Sequence, residues 1–230
     1  MKTIRTTLMV TALALLCMAA GDGKFMRWVS PDHFDAKAIM GDPPAVDSDE
    51  HRGEIAIMQY LQNHRTKEEI ARCVSEEEVT VFAFSTVLGD MFHAENYPLT
   101  AALMKEVYDQ TKSVSAAGKD IWKRPRPAIE NANIKPCVKP EKSYSYPSGH
   151  ATRGVVWATL LAEIYPDKKD ELMARGMQIG SDRSLAGMHW PSDVAAGQKL
   201  GVAVVEQLLK DDDFRAQFAK VKDELLAVHH

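Results

Sequence analysis

Helix signals follow one another along this 230-residue chain, and no two well-separated runs favour strands. The stretch from Gly154 to Ala162 is apolar on nearly every side, which predicts a buried central helix from about Gly149 to Tyr165. Pro166 should stop that helix. A chain with helical periodicity alone buries its apolar stripes by packing helix on helix. The sequence therefore predicts an all-α fold, a compact helical bundle.

Capping signals and apolar spacing predict the other helices. Thr66-x-x-Glu69 is a capping box, and the helix that it opens is expected to run on to Leu88. Residues 79–82 have strand propensity, but helical signals on both sides argue against a strand. Two further stripes at helical spacing predict a helix after residue 98 and a last amphipathic helix: Leu99, Leu103 and Val107, then Phe214, Phe218, Val221 and Leu225.

A helix from about Pro191 to Lys210 carries small residues that let another helix approach closely. In a membrane protein, Gly197-x3-Gly201 would favour association of membrane-spanning helices. Polar residues interrupt the apolar run here, so close packing inside a water-soluble domain is the better interpretation.

Residues 1–20 have the layout of a secretory signal peptide, with Lys2 and Arg5 before a short apolar run and small residues after it. The alternative is a membrane anchor, but the run is too short to span a bilayer comfortably. We expect cleavage, a periplasmic or secreted location and no stable membrane association. Cleavage removes two positive charges and takes the formal net charge from −4 to −6. Such an acidic protein is a poor candidate for binding nucleic acid.

The remainder suits one domain. Residues 21–50, rich in Pro, Gly and Asp, should form an extended N-terminal arm over the body, and residues 51–230 a single helical domain. Two cysteines remain after cleavage, Cys73 and Cys137. In an exported protein such a pair favours a disulfide, and two buried reduced thiols are the alternative.

Three short clusters carry residues suited to holding a tetrahedral oxyanion and reacting with it: Lys119-x6-Arg126-Pro127, Pro147-Ser148-Gly149-His150 and Arg183-x5-His189-x3-Asp193. Lys119, Arg126 and Arg183 would form an oxyanion clamp, in which arginine offers a planar fork and lysine a point charge. Lys123 and Arg124 have no place in the clusters and are expected to be solvated, or to contribute to anion attraction from outside the clamp.

The third cluster suits a nucleophile. Pro191 is well placed as a first helical residue, so His189 precedes the helix and Asp193 lies in its first turn. Asp193 can then accept a hydrogen bond from one ring nitrogen and leave the other lone pair for the ligand. A neutral, oriented imidazole is a competent nucleophile. Alone, the pattern more often marks a capping Asp beside a structural His, and the other two clusters reverse that preference.

The second cluster suits an anion site at a helix start. The first amides of the helix after Ser148 are unpaired, Gly149 lets the backbone come close, and the Ser148 hydroxyl adds a donor. His150 would then protonate a leaving group. Alone, the tetrapeptide fits an ordinary turn with an N-cap equally well.

The three clusters, with Ser145-Tyr146 and the run 187–190, resemble the signature of the type 2 phosphatidic acid phosphatase and vanadium haloperoxidase superfamily. Within it, the class A bacterial non-specific acid phosphatases are most similar. The resemblance implies a phosphohistidine on His189, with His150 as the general acid. Asp182 stands where the family pattern has Ser before Arg183, which leaves substrate preference open.

The sequence and the resemblance together predict a metal-independent acid phosphatase without a cofactor, acting on small phosphate monoesters with broad specificity. An acidic optimum is expected, since His150 must be protonated while His189 is not. We also expect a homo-oligomer, a dimer. The alternatives are a vanadate-dependent haloperoxidase, whose known forms are much longer chains, an inactive anion-binding module and, least favoured, a lipid phosphatase.

Overall fold

The computed structural model describes residues 27–227, so the predicted signal peptide lies outside the described residues. Within this range the chain forms helices and loops and no strand, as predicted. Three 3-10 helices cover Pro31–His33, Val81–Phe84 and Pro166–Lys168. Ten α-helices of the described range follow in order: α1 (Ala36–Met40), α2 (Asp49–His64), α3 (Lys67–Ser75), α4 (Ser85–Leu88), α5 (Pro98–Trp122), α6 (Pro127–Glu130), α7 (Gly149–Ile164), α8 (Lys169–Leu185), α9 (Pro191–Lys210) and α10 (Asp212–Ala227).

Helix α7 lies in the core because it is apolar nearly all round. Val156, Leu160 and Leu161 are fully buried, and the helix packs against both α8 and α9. It ends one residue before the predicted boundary, where Pro166 begins a 3-10 helix. The predicted central helix is therefore confirmed.

Small residues set the contact between α7 and α9. A Cβ atom on Gly197 would lie 2.4 Å from the carbonyl oxygen of Ser148, and one on Gly201 would lie 2.7 Å from that of Thr152. Real Cβ atoms do not come that close to a backbone, so these glycines allow the two helices to touch. Among residues 27–227, no helix has the length and apolarity needed to cross a membrane.

Helix α3 begins as predicted and ends early. Thr66 and Glu69 exchange the two hydrogen bonds of a capping box, but the helix stops at Ser75 instead of continuing to Leu88. The next residue, Glu76, turns inward and is 2% exposed. Its carbonyl oxygen bonds the ring of His150 at 3.1 Å. A tertiary contact therefore replaces the continuous helix that local propensity favoured.

The described part of the predicted arm lies against the body and contains α1. The amides of Trp28 and Val29 both donate to Oε1 of Gln110 on α5, at 2.9 and 3.0 Å. The Trp28 indole donates to Asp213 on α10 at 2.8 Å. Together these bonds join the start of the described chain to two helices of the bundle.

Cys73 and Cys137 are free thiols in the structure, so the predicted disulfide is not formed there. Both pack in a small apolar cluster with Val138, Leu185 and Met188. Cys73 donates to the carbonyl oxygen of Asp182 at 3.4 Å, and burial raises the pKa of its thiol to about 12. Since the thiolate is the reactive form, such a thiol exchanges slowly.

Candidate active site

A pocket of about 430 Å³ opens between α5, α7, α8 and the irregular segment 131–148. Five of the predicted site residues line it: Lys119, Gly149, His150, Arg183 and His189. Arg126, Ser148 and Asp193 lie directly behind its surface and contact the lining residues. The structure therefore brings all three sequence clusters to one place.

A turn at the end of α8 carries His189 to this place. Gly187 has φ +82°, a conformation that favours glycine, and reverses the chain between α8 and α9. The amides of Met188 and His189 then both donate to the carbonyl oxygen of Arg183, at 2.9 and 3.2 Å. The turn thus fixes the imidazole beside the Arg183 side chain.

His189 is held as the sequence predicted. Its Nδ1 atom lies 3.3 Å from Oδ2 of Asp193, and its Nε2 atom lies 3.2 Å from Nη1 of Arg126. Burial, with the nearby charges of Arg126 and Lys119, lowers the pKa of His189 well below its usual value. Because a guanidinium can only donate, Nδ1 carries the proton and Nε2 keeps its lone pair. The ring is neutral and oriented.

Arg124 supports Asp193, a role that the sequence did not indicate. It was expected to be solvated, but it is 6% exposed. Its guanidinium donates to Oδ1 of Asp193 at 2.8 Å and to Oε2 of Glu54 at 2.6 Å. Glu54 also accepts two bonds from Ser192, which lies in the first turn of α9. Burial raises the pKa of Asp193 to about 6, and Arg124 opposes that rise.

The start of α7 presents backbone to the pocket. Ser148 caps the helix, since its Oγ accepts the amide of Ala151 at 3.3 Å and its own amide donates to the carbonyl oxygen of Asp193 at 2.9 Å. The first amides of a helix have no partner within the helix. A Cβ on Gly149 would meet nothing within 4 Å. The side of Gly149 is therefore open to a ligand, while Ser148 serves the helix start.

His150 is engaged at both ring nitrogens. Its Nε2 atom lies 3.1 Å from the carbonyl oxygen of Glu76, and its Nδ1 atom lies 2.6 Å from Nη2 of Arg153. Burial, followed by the charges of Arg153 and Arg183, lowers the pKa of His150 well below its usual value. Nδ1 therefore accepts from Arg153 and the proton sits on Nε2. The resting ring of His150 is therefore neutral, whereas the predicted general acid must be protonated.

Glu141 bridges the two arginines of the clamp. Its carboxylate accepts from Arg126 at 2.7 Å and from Arg183 at 2.9 Å. Burial alone would raise the pKa of Glu141, but Arg126, Arg183 and Lys119 together lower it, so the group stays ionised. Nε and Nη1 of Arg183 are buried and have no hydrogen-bond partner among residues 27–227. Unpaired buried donors cost free energy unless a ligand satisfies them, so these atoms point to an anion site.

Lys119 completes the clamp from α5. Its ammonium donates to the carbonyl oxygens of Tyr144 and Ser145. Burial, with the nearby charge of Arg126, lowers the pKa of Lys119 to about 7. The charge of the clamp therefore depends on pH near neutrality.

Asp182, the departure from the family pattern, points away from the pocket. Both its oxygens accept from the Arg72 guanidinium on α3, at 2.7 and 2.8 Å. Its charge is paired with Arg72 and does not face the anion clamp.

Fold and site together define a helical protein in which two histidines and a group of buried cations meet at one pocket. Residues 96–211 match the PAP2 superfamily, and the chain belongs to this superfamily. The predicted family and the all-α fold are confirmed.

Relatives named non-specific acid phosphatase are similar over much of the chain. The one from Providencia stuartii is 28% identical over 202 residues, which cover 83% of this chain and 80% of the relative. The one from Salmonella typhimurium is 34% identical over 149 residues, 62% of this chain and 59% of the relative. This chain thus matches about three-fifths of the Salmonella protein.

A solved structure shares the fold. It is described as the first transmembrane PAP2 type phosphatidylglycerolphosphate phosphatase from Bacillus subtilis. The TM-score is 0.52 at 21% identity, over 77% of this chain and 90% of that one.

Proposed function

We propose that this protein is an acid phosphatase that hydrolyses phosphate monoesters through a phosphohistidine on His189. The observation that carries the proposal is a neutral, oriented His189 beside Arg183, whose buried Nε and Nη1 atoms are unpaired in the described part of the chain. The names of the relatives support phosphatase function.

In the proposed reaction, the phosphate oxygens lie against Arg183, Lys119 and the amides at the start of α7. Nε2 of His189 gives up its hydrogen bond from Arg126 and attacks phosphorus, and the bond from phosphorus to the ester oxygen breaks as the bond to nitrogen forms. The electron pair goes to the leaving oxygen. His150, which is neutral at rest, first takes a proton at Nδ1 from the acidic solvent in place of its hydrogen bond from Arg153, and then gives this proton to that oxygen. Water then hydrolyses the phosphohistidine. Asp193 holds the ring and stabilises the positive charge that develops on it.

The pKa directions support an acidic optimum. His189 remains a free nucleophile at mildly acidic pH because burial and the clamp cations lower its pKa. Lys119, with a pKa of about 7, is fully charged only below neutrality. Nucleophile and clamp are therefore both in their active forms on the acid side of pH 7.

The test is hydrolysis of nitrophenyl phosphate across pH, with and without excess chelator. We expect activity in chelator, because three cations already supply the charge that a metal would otherwise bring. Inhibition by vanadate is also expected, since its five-coordinate adduct resembles the transition state. Loss of activity in chelator, restored by zinc or magnesium, would contradict the proposed mechanism.

Two substitutions separate the histidines. His189→Ala should abolish phosphoenzyme formation on every substrate. His150→Ala should slow alkyl phosphates far more than nitrophenyl phosphate, because nitrophenolate leaves without a proton; general acid catalysis is worth roughly 10²–10⁴-fold. Equal losses on both substrates, or a phosphoenzyme trapped in His189→Ala, would reverse the assignment.

Four further proposals concern the substrate range and the mature protein. They are broad specificity, export after cleavage near residue 20, an arm over residues 21–50 and a homodimer. The open pocket, in which the assigned contacts all go to the phosphoryl group, supports broad specificity. Sedimentation tests the dimer. Intact mass of the exported protein tests both the cleavage and the Cys73–Cys137 disulfide, which two alkylatable thiols would contradict.

A further inference from the structure

Arg153 lines the pocket together with Arg183 and belongs to none of the three clusters. It lies one turn after His150 on α7. Its Nη2 atom is 2.6 Å from Nδ1 of His150, and its guanidinium carbon is 5.0 Å from the centre of the Tyr108 ring. The side chain thus stands beside the proposed acid, on the side of the pocket that α5 forms.

The polar atoms around Arg153 are incompletely paired. The guanidinium is bonded to His150 and to the Tyr108 side chain. Its Nε atom, however, is buried without a hydrogen-bond partner in the range 27–227, and so is Oγ of Ser115, which also lines the pocket. Glu141, a nearby carboxylate, is already bonded to Arg126 and Arg183. Both residues line one pocket, and buried donors without a partner are costly unless a ligand accepts from them.

We propose that Arg153 and Ser115 form a second anion subsite, which binds an anionic group on the leaving portion of the substrate. This inference rests on the proposed phosphatase function. The favoured substrates, within a broad range, are phosphate monoesters whose leaving group carries a phosphate or carboxylate close to the ester oxygen. Arginine suits both, because its planar fork pairs with the oxygens of either group.

Such a ligand would also change the state of His150. When the second anion binds Arg153, the bond from Nη2 to Nδ1 of His150 weakens and the positive charge beside the ring is neutralised. Nδ1 can then be protonated by a hydronium ion from the solvent, and the ring passes this proton to the leaving oxygen as the bond to phosphorus breaks. The substrate's own charge thereby prepares the acid. The groups facing Arg153 and His150 from the packed elements are Tyr108 and Lys112 on α5, the backbone of Glu76 and Glu77, Arg183, His189 and Glu141.

Binding tests the subsite without any reaction. Calorimetry in chelator-treated buffer compares methylphosphonate with methylenediphosphonate, which differ by one anionic group. Wild type should bind the diphosphonate on the order of tenfold more tightly, the gain typical of a hydrogen bond to a charged group. Arg153→Met should remove most of this preference, and Arg153→Lys should retain part of it because the charge remains.

Lys112→Met is the matched control for charge. Lys112 is exposed at the same pocket and also lies near the Tyr108 ring, 5.9 Å away. Its loss should change the preference by less than about threefold, since exposed charges are screened by solvent. Equal affinities in wild type, or equal effects of Arg153→Met and Lys112→Met, would overturn the subsite.

Kinetics test the coupling to His150. Wild type should cleave carboxymethyl phosphate on the order of tenfold more efficiently than ethyl phosphate, and Arg153→Met should make the two alike. In Arg153→Met the basic limb of kcat/KM for ethyl phosphate should move up by about one pH unit, because a cation next to the imidazole is gone. An unmoved limb would overturn the coupling. Tighter diphosphonate binding without hydrolysis of nitrophenyl phosphate would reject the phosphatase and support the subsite.

Discussion

Two groups of polar residues lie at and behind the pocket and differ in how their atoms are paired. The positioning cluster is His189, Asp193, Arg124, Glu54 and Ser192, and its members bond one another. The anion-facing cluster is Arg183, Arg153 and Ser115. Within residues 27–227, each of its members keeps at least one buried polar atom without a hydrogen-bond partner.

The two clusters show that buried polar residues can have two different effects on the protein. A paired cluster stabilises one geometry, and removing a member leaves its partner charged and alone. An unpaired cluster costs the fold free energy and regains it when a ligand binds. Substitutions of the residues that support His189 in the first cluster should therefore reduce stability, and substitutions in the second should reduce activity.

The largest effect is expected for Arg124→Gln. It leaves the buried carboxylates of Asp193 and Glu54 without their cation, which should lower the free energy of unfolding by about 3–5 kcal/mol. Denaturant unfolding measures it. The control is Lys123→Gln, an exposed neighbour, whose effect should stay within about 0.5 kcal/mol. Similar values for the two variants would mean that the positioning cluster contributes little.

Arg183→Gln should behave in the opposite way. Removal of a donor to the developing negative charge should lower kcat/KM by about 10²–10³-fold. The free energy of unfolding should stay the same or rise, because a buried cation with two unpaired nitrogens is lost. Chemical unfolding and steady-state kinetics on one preparation measure both. Destabilisation as large as that of Arg124→Gln would erase the distinction between the clusters.

Gly197→Ala tests the close contact between α7 and α9. The added Cβ would lie 2.4 Å from the carbonyl oxygen of Ser148, so α9 must shift away from α7 at a cost of about 1–3 kcal/mol. Gly53→Ala on α2 is the matched control, since its Cβ meets nothing within 4 Å. There alanine should stabilise by about 0.5–1 kcal/mol. Thermal melts of the pair should move in opposite directions.

The deprotonation of Lys119 should produce a basic limb in the pH profile of inhibition by phosphate. The cation binds phosphate, and its pKa of about 7 means that the charge is lost as pH rises through neutrality. Inhibition by phosphate should therefore weaken up to about tenfold per pH unit above 7. Lys119→Arg keeps its charge throughout this range, and the limb near pH 7 should disappear. A limb that persists in Lys119→Arg would have to come from another group.

The smallest effect is expected for Glu141→Gln. Its carboxylate holds the two clamp arginines where an oxyanion would bind and repels that oxyanion. The variant should lower the inhibition constant of phosphate by roughly three- to tenfold. Glu78→Gln, exposed at the same pocket, should change it less. Weaker phosphate binding in Glu141→Gln would mean that Glu141 orients the arginines instead.

Much of this molecule follows from local sequence. The capping box at Thr66, the stop at Pro166 and the Pro191 start were readable because each depends on residues within one turn of a helix. The end of α3 was not, because it depends on a contact between Glu76 and His150, 74 residues away. Local propensity cannot report such a contact.

The residues of the site also fall into those that local sequence predicts and those that depend on distant contacts. The cluster residues were found from spacing, whereas the contacts of Arg124, Glu54 and Arg153 were not predicted. Lys123 and Arg124 are adjacent cations in one short run, yet one is exposed and the other buried. Their difference arises from Glu54 on α2, 70 residues earlier. The contact between His189 and Asp193 could be predicted without a distant partner, because residues that are four apart at the start of a helix lie close together.

The pair formed by Asp182 and Arg72 has an evolutionary consequence. A single exchange of Asp182 for the serine of the family pattern would remove both hydrogen-bond acceptors of the Arg72 guanidinium. A single change at Arg72 would strand a carboxylate that is only 3% exposed. Each one-step path therefore passes through a less stable protein. Descendants of this lineage should change the two positions together, although 110 residues separate them in the chain.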